Sequence, residues 1–337
     1  MNTTTMLKAW EILKIQNLPC FAHTVNLVVQ DGLNLNHNDV TKALFAKCKN
    51  IVIFFKKSSI ANEKLKQVQE NFACTLLQEA QTRWNSFHDM IERVLLTHEA
   101  IASVLLSTTN APLPFSAEEI NVLKDIDKIL ALFKNVSEKV SGGKYVTVSL
   151  IIPLAYGLYR QIGNFSSQLA TAVGKSMKDV MLESIKKRLS IYELRTVTRM
   201  ATILDPRFKK DGFQSNANAE QMNLGNLTYV EDPVSLEAST TTTDPIFDFL
   251  NQRCATKKSN VRSDAIIIKR QYLERDIAPQ EMDHLLWIKV NQVDFPLLKL
   301  LMYKYLCIPA TSVESERLSA RRDKLFLIGE HGLKKKM

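Results

Sequence analysis

Apolar residues recur along this chain at three- and four-residue intervals. The clearest case is "PLPFSAEEINVLKDIDKILALFKNV". Ile120, Leu123, Ile126, Leu130 and Phe133 fall on one face at helical spacing. Ser116 and Glu119, three apart ahead of that stripe, have the form of a capping box, with Phe115 and Ile120 placed as its hydrophobic staple. "SMKDVMLESIKKRLSIYEL" repeats the theme, with Met177, Met181, Ile185 and Leu189 at successive i+4 steps. Both stripes predict core-facing helices.

Nearer the start, residues 1–50 read as two helical pieces joined at "NLPCFAH". The run Val25, Leu27, Val28, Val29 is apolar enough to be buried, as strand or as helix. Ile51 to Phe55 is apolar on all sides and should be interior, while Ile60, Leu65 and Val68 are spaced as on a helix. From about 212 to 245 the chain turns polar and rich in Asn, Ser and Thr. Such a stretch buries too little apolar surface to offset its ordering entropy, so a linker is expected there. Helical patterning resumes at Pro245 and runs through "DHLLWIKVNQVDFPLLKLLMYKYL" into "PATSVESERLSARRDKL".

Composition narrows the classes. The 337 residues are enough for two or three domains, and 10 Gly with 10 Pro favour helices over a turn-rich β fold. Five scattered Cys form no disulfide framework and fit a reducing compartment. The start lacks a signal-peptide core, and no apolar run is long enough to span a bilayer. The net charge of +9 suits an anionic partner such as DNA, or is simply a basic surface. The basic clusters are Lys56, Lys57, Lys186, Lys187, Arg188, Arg321 and Arg322.

Candidate chemistry is sparse. Cys20 and His23 would suit half of a zinc site, but no second ligand pair occurs, so a buried thiol and a bonded imidazole are the competing reading. Arg83 stands beside Trp84, which reads as a core anchor next to a cation that reaches a carboxylate or a phosphate. Asp205-Pro206-Arg207 reads as a turn start or as a helix N-cap with Pro at N1. Glu316 is a carboxylate on an expected helix whose partners would have to come from elsewhere, since two-metal phosphoryl transfer needs several carboxylates. No metal site and no small-molecule site is expected.

The ordered blocks "LPCFAHTVNLVVQDGL", "QTRWNSFHDMIERV", "SGGKYVTVSLIIPL", "ATILDPRFK" and "FPLLKLLMYKYLCIPATSVESER" resemble hAT-superfamily DNA transposases, and above all the transposase-derived proteins with BED-type zinc fingers. The resemblance implies a mainly α chain. It would hold an incomplete RNase H-like core interrupted by a large all-helical insertion, and end in a helical dimerisation segment. The implied divisions are 1–50 as a remnant of the first core half, 51–211 as the insertion, 212–245 as the linker and 246–337 as the dimerisation region. Cys20, His23, Arg83, Trp84, Asp205, Pro206 and Arg207 match family motifs. Glu316 matches the third member of the family's Asp-Asp-Glu triad. The position matching the second Asp is taken here by Met1-Asn2, and no BED finger precedes it.

These implications give a non-catalytic, nuclear protein that forms a homodimer and contacts DNA. The candidate dimer contacts are Phe295, Leu297, Leu298, Leu301, Tyr305 and Leu306, with an intramolecular core as the alternative. The other reading is a fragment of an active transposase, needing Mg or Mn once a longer N-terminal part supplies both Asp residues. Limited proteolysis should cut first near 212–245 and leave roughly 90–210 resistant. Survival of the two ends instead would contradict this organisation.

Overall fold

A computed structural model describes residues 18–34, 39–69, 74–79, 84–220 and 261–312, and among these it is helical with no strand. The helices are α1 (Phe21–Asn34), α2 (Asp39–Lys57), α3 (Ser59–Val68), α4 (Trp84–Leu106), α5 (Ala117–Val140), α6 (Ile151–Gly163), α7 (Ala172–Arg188), α8 (Thr196–Leu204), α9 (Asn216–Glu220), α10 (Val261–Glu274), α11 (His284–Asn291) and α12 (Pro296–Leu306).

The long helix α5 lies at the centre and touches α1, α4, α6 and α7. Its start is fixed as the sequence predicts. Ser116 Oγ accepts the Glu119 N–H at 3.1 Å, and Glu119 Oε2 accepts the Ser116 N–H at 2.7 Å. Lys47 of α2 reaches the same carboxylate at 2.6 Å, so the cap also ties α2 to α5. All five stripe residues of α5 are buried, as are Met177, Met181, Ile185 and Leu189.

Asp125 sits among them at 1 % exposure. It accepts the backbone N–H groups of Ala170 and Thr171 at 3.2 and 2.8 Å, and the Thr171 hydroxyl at 2.7 Å. Thr171 in turn caps α7 through the Gly174 N–H. A Cβ on Gly174 would stand 2.7 Å from Asp125, so this close approach requires glycine.

The apolar run near the start is helix: Val25, Val28 and Val29 are buried within α1. That helix packs mostly along α7, and Arg188 holds Asp31 in a two-point ion pair at 2.7 and 3.2 Å. The Arg188 hydrogen bond keeps the Asp31 carboxyl below its ordinary range. Residues 21–34 share one core with the helices that follow.

Ile51, Val52 and Phe55 are interior as expected. On α3 the expected face differs from the observed one. Leu65 is buried with Ala61, but Ile60 and Val68 are 72 % and 46 % exposed, because Ala61 and Leu65 form the i, i+4 pair turned inward. The first residues of the expected linker, 212–220, are packed against the helical body. Phe213 and Ala219 are buried, and the Glu193 carboxylate accepts the N–H groups of Gln214 and Ser215. Residues 221–245 lie outside the described residues.

Candidate functional site

The turn that ends α8 carries a buried polar cluster. Asp205 caps α8 in an extended conformation, and the chain turns immediately through 206–212. Of the two sequence readings of Asp-Pro-Arg, the turn start is the one observed. Asp205 has no exposed surface. It accepts hydrogen bonds from Ser149 Oγ at 2.6 Å, Arg207 N at 3.0 Å, Arg207 Nε at 3.1 Å and Arg207 Nη2 at 2.8 Å, and it meets His284 Nε2 at 3.0 Å. Burial alone would raise this carboxyl, but the hydrogen bonds from His284 and Arg207 outweigh it and hold the group down at about 2.

The same turn grips the chain beyond residue 261. Arg207 Nη1 donates to Gln280 O, and Pro206 O accepts the Ala278 N–H at 2.9 Å. Lys209, at φ 47°, sends its ammonium to the carbonyl oxygens of Arg275 and Asp276 and lies over the Tyr272 ring. Burial pushes the Lys209 ammonium below its ordinary value. Tyr272 donates its hydroxyl to Ile203 O and packs against Trp287 and Phe295.

A second attachment lies at the far end of α12. Ala310 accepts the Phe21 N–H and donates its own N–H to Thr147 Oγ1, both at 3.0 Å. The Ser312 N–H approaches Cys20 Sγ at 3.4 Å. Tyr192, buried against Phe21, donates to Pro19 O. Four of the five sequence blocks therefore meet in space: those holding Cys20, Ser149, Asp205 and Ala310.

Cys20 is partly buried and His23 is exposed. Neither joins a set of three metal-ligating groups among the described residues. Trp84 is partly buried, edge-on to Phe133, while Arg83 and Glu316 lie outside the described residues. The basic candidates divide. Lys56, Lys57, Lys186 and Lys187 are exposed, Arg188 is tied to Asp31, and Arg321 and Arg322 are outside the described residues.

The dimer candidates need a correction. Phe295, Leu298, Leu301, Tyr305 and Leu306 are all under 10 % exposed and form the inner side of α12 and its approach, so the intramolecular alternative is the one observed. The side chain of Leu297 is outside the described residues. The exposed apolar surface of this segment is made by other residues. Leu286, Val290 and Val293 follow one another at i, i+4 and i+7, at 59 %, 70 % and 84 % exposure. Leu285, Leu300 and Tyr303 are exposed as well. His284 and Ile288 occupy the opposite, buried side of α11, so this helix is apolar on both faces. "HLLWIKV" carries that signal in sequence: a helix apolar all round is expected to be covered all round. A groove of about 780 Å³ opens beside it, between Tyr145 and Val146 on one wall and Leu285, Met302 and Tyr303 on the other.

Residues 18–129 match the family model described as the ZBED1 RNase-like helical domain, and residues 269–328 match the hAT family C-terminal dimerisation region. Zinc finger BED domain-containing protein 4 of Homo sapiens is 24 % identical over 329 residues, covering 90 % of this chain and 27 % of that protein. Zinc finger BED domain-containing protein RICESLEEPER 3 of Oryza sativa subsp. japonica is 22 % identical, covering 88 % of this chain and 42 % of its own length. Zinc finger BED domain-containing protein DAYSLEEPER of Arabidopsis thaliana is 23 % identical over 74 % of this chain and 38 % of its own. The chain thus spans well under half the length of these relatives. The matches bear out the hAT resemblance read from the sequence.

Replacing Asp205 by Asn should cost about 3–5 kcal/mol, because the Arg207 guanidinium is left buried without its counter-charge and His284 loses its carboxylate partner. The folded carboxyl lies below its unfolded value of 3.8, so its contribution is present above that value and is lost as pH falls toward 2. Denaturant unfolding from pH 5 to pH 2 should show this loss in the native chain and a flatter profile in D205N. A D205N protein as stable as the native one at pH 7 would remove Asp205 from this role.

Proposed function

We propose that this relative of the transposase-derived BED zinc-finger proteins acts by self-association through α11 and α12, as a non-catalytic nuclear protein that contacts DNA. The observation that carries the reading is the exposed stripe Leu286, Val290 and Val293, which lies inside the segment matching the hAT dimerisation region. A second copy presenting the same stripe would cover both, as a two-fold interface requires. The described helices correspond, on this reading, to the insertion and the C-terminal part of an RNase H-like architecture.

The paired substitution L286D/V290D should convert the dimer to a monomer in sedimentation at tens of micromolar, with the helical content unchanged. The substitution L298D, on the buried side of α12, should unfold the segment instead. A dimer that survives L286D/V290D, or a native chain that is monomeric throughout, would refute the proposal.

Contact with DNA is supported by the charge of +9 and by four exposed lysines, Lys56, Lys57, Lys186 and Lys187. Neutralising all four should lower duplex affinity and flatten its dependence on salt, since each phosphate contact releases counterions. R188A should act differently: it breaks the Asp31 ion pair and lowers stability more than affinity. Equal affinity and salt slope in the four-lysine variant would make the basic excess a solvated surface.

A second reading follows from coverage. The relatives extend well beyond the length this chain spans. A longer product carrying two further Asp residues would give Glu316 its partners and make Mg- or Mn-dependent DNA cleavage the activity to assay.

A further inference from the structure

Away from the C-terminal segment, α4 and α5 hold a polar cluster that self-association does not use. His88 of α4 is 3 % exposed, and neither of its ring nitrogens makes a hydrogen bond. Its Nε2 stands 3.1 Å from Asp127 Oδ1 on α5, off hydrogen-bonding geometry, and that oxygen is likewise buried without a hydrogen bond. Leaving such groups unmatched in a packed interior is costly. One nitrogen of His88, one oxygen of Asp89 and one oxygen of Glu92 lie within 4.8 Å of one another. His88 and Glu92 are i and i+4, so they share a side of α4.

We propose that His88, Asp89 and Glu92 form a binding site for a divalent transition-metal ion of the zinc class. One imidazole and two carboxylates are donors that such an ion accepts. Nε2 stands beside Asp127, so the proposed site takes Nδ1 as the nitrogen for the metal. A carboxylate hydrogen-bonded to the other nitrogen of a ligating imidazole fixes its orientation and raises its basicity, and Asp127, 3.1 Å from Nε2, would take that bond after a small turn of the ring. Ligand atoms around zinc lie about 3.3 Å apart when its bonds are near 2 Å, so the cluster must contract. Glu92 is half exposed and can rotate to close it, and its open side gives the ion a way in.

The two carboxylates already hold a cation. Lys134 Nζ lies 2.8 Å from Asp89 Oδ1 and 3.5 Å from Glu92 Oε2. The Asp89 hydrogen bond raises this ammonium above its ordinary value. The lysine is tethered by a flexible stem, so an entering metal ion displaces the ammonium into solvent. Lys134 is then a competitor for the site, and a structural ion pair would give the opposite response to its removal.

Titration of the purified chain with zinc chloride against a chelating indicator tests this. One ion per chain is expected. H88L and E92Q should each weaken binding at least tenfold, K134M should strengthen it several-fold, and C20A should leave it unchanged. Zinc should raise the melting temperature of the native chain. H88L should fold at least as well without metal, because it removes the unmatched imidazole, and should show no zinc-dependent shift. Absence of zinc binding, binding that persists in H88L and E92Q, or binding weakened by K134M would overturn the site.

Discussion

The buried carboxylate of Asp205 holds two stretches of chain together that are far apart in sequence. It takes donors from Ser149 ahead of α6, from Arg207 in its own turn and from His284 at the start of α11. A carboxylate with no exposed surface is tolerable only when its charge is balanced and its oxygens are occupied, and here both conditions are met. The position of α11 follows from this. With His284 bound inward, Ile288 is turned inward one turn later, and Leu286 and Val290 are turned out. The apolar surface of the C-terminal segment is therefore set from inside the helical body.

Lys209 and Arg207 extend the same logic to the backbone. Their cationic groups take the carbonyl oxygens of Arg275, Asp276 and Gln280, which end α10 and begin the loop to α11. Cations at a helix C-terminus oppose its negative dipole end and occupy carbonyls that have no partner within the helix. At the other edge, Ala310 closes on Phe21 and Thr147. The segment from α10 to Ala310 is thus held at both ends by turns and by helix α1.

What the sequence could reveal divides along physical lines. Local signals were decisive where one helix carries its own evidence. The Ser116–Glu119 box and the stripes of α5 and α7 are set by spacing within a few turns, and they stand as read. Relations between distant residues left no such mark. Nothing around His284 announces that it meets Asp205, 79 positions earlier. Short apolar runs were ambiguous in a specific way. Phe295, Leu298 and Leu301 could be interface or core by sequence and are core, whereas Leu286 and Val290 of "HLLWIKV", not singled out by sequence, are exposed. Periodicity reports that a face is apolar; it does not report which neighbour covers it. Likewise Ile60 and Val68 lie at helical spacing, but Ala61 and Leu65 won the inner side.

A helix with apolar residues on both faces has a thermodynamic consequence. The inner face is covered by folding, and under the proposed self-association the outer face is covered when a second chain arrives. Association then draws on the folded form alone, so by mass action it shifts folding as well. The melting point of such a chain rises with its own concentration, and a dilute solution holds a weaker fold than a concentrated one. Abundance becomes a variable of the structure itself.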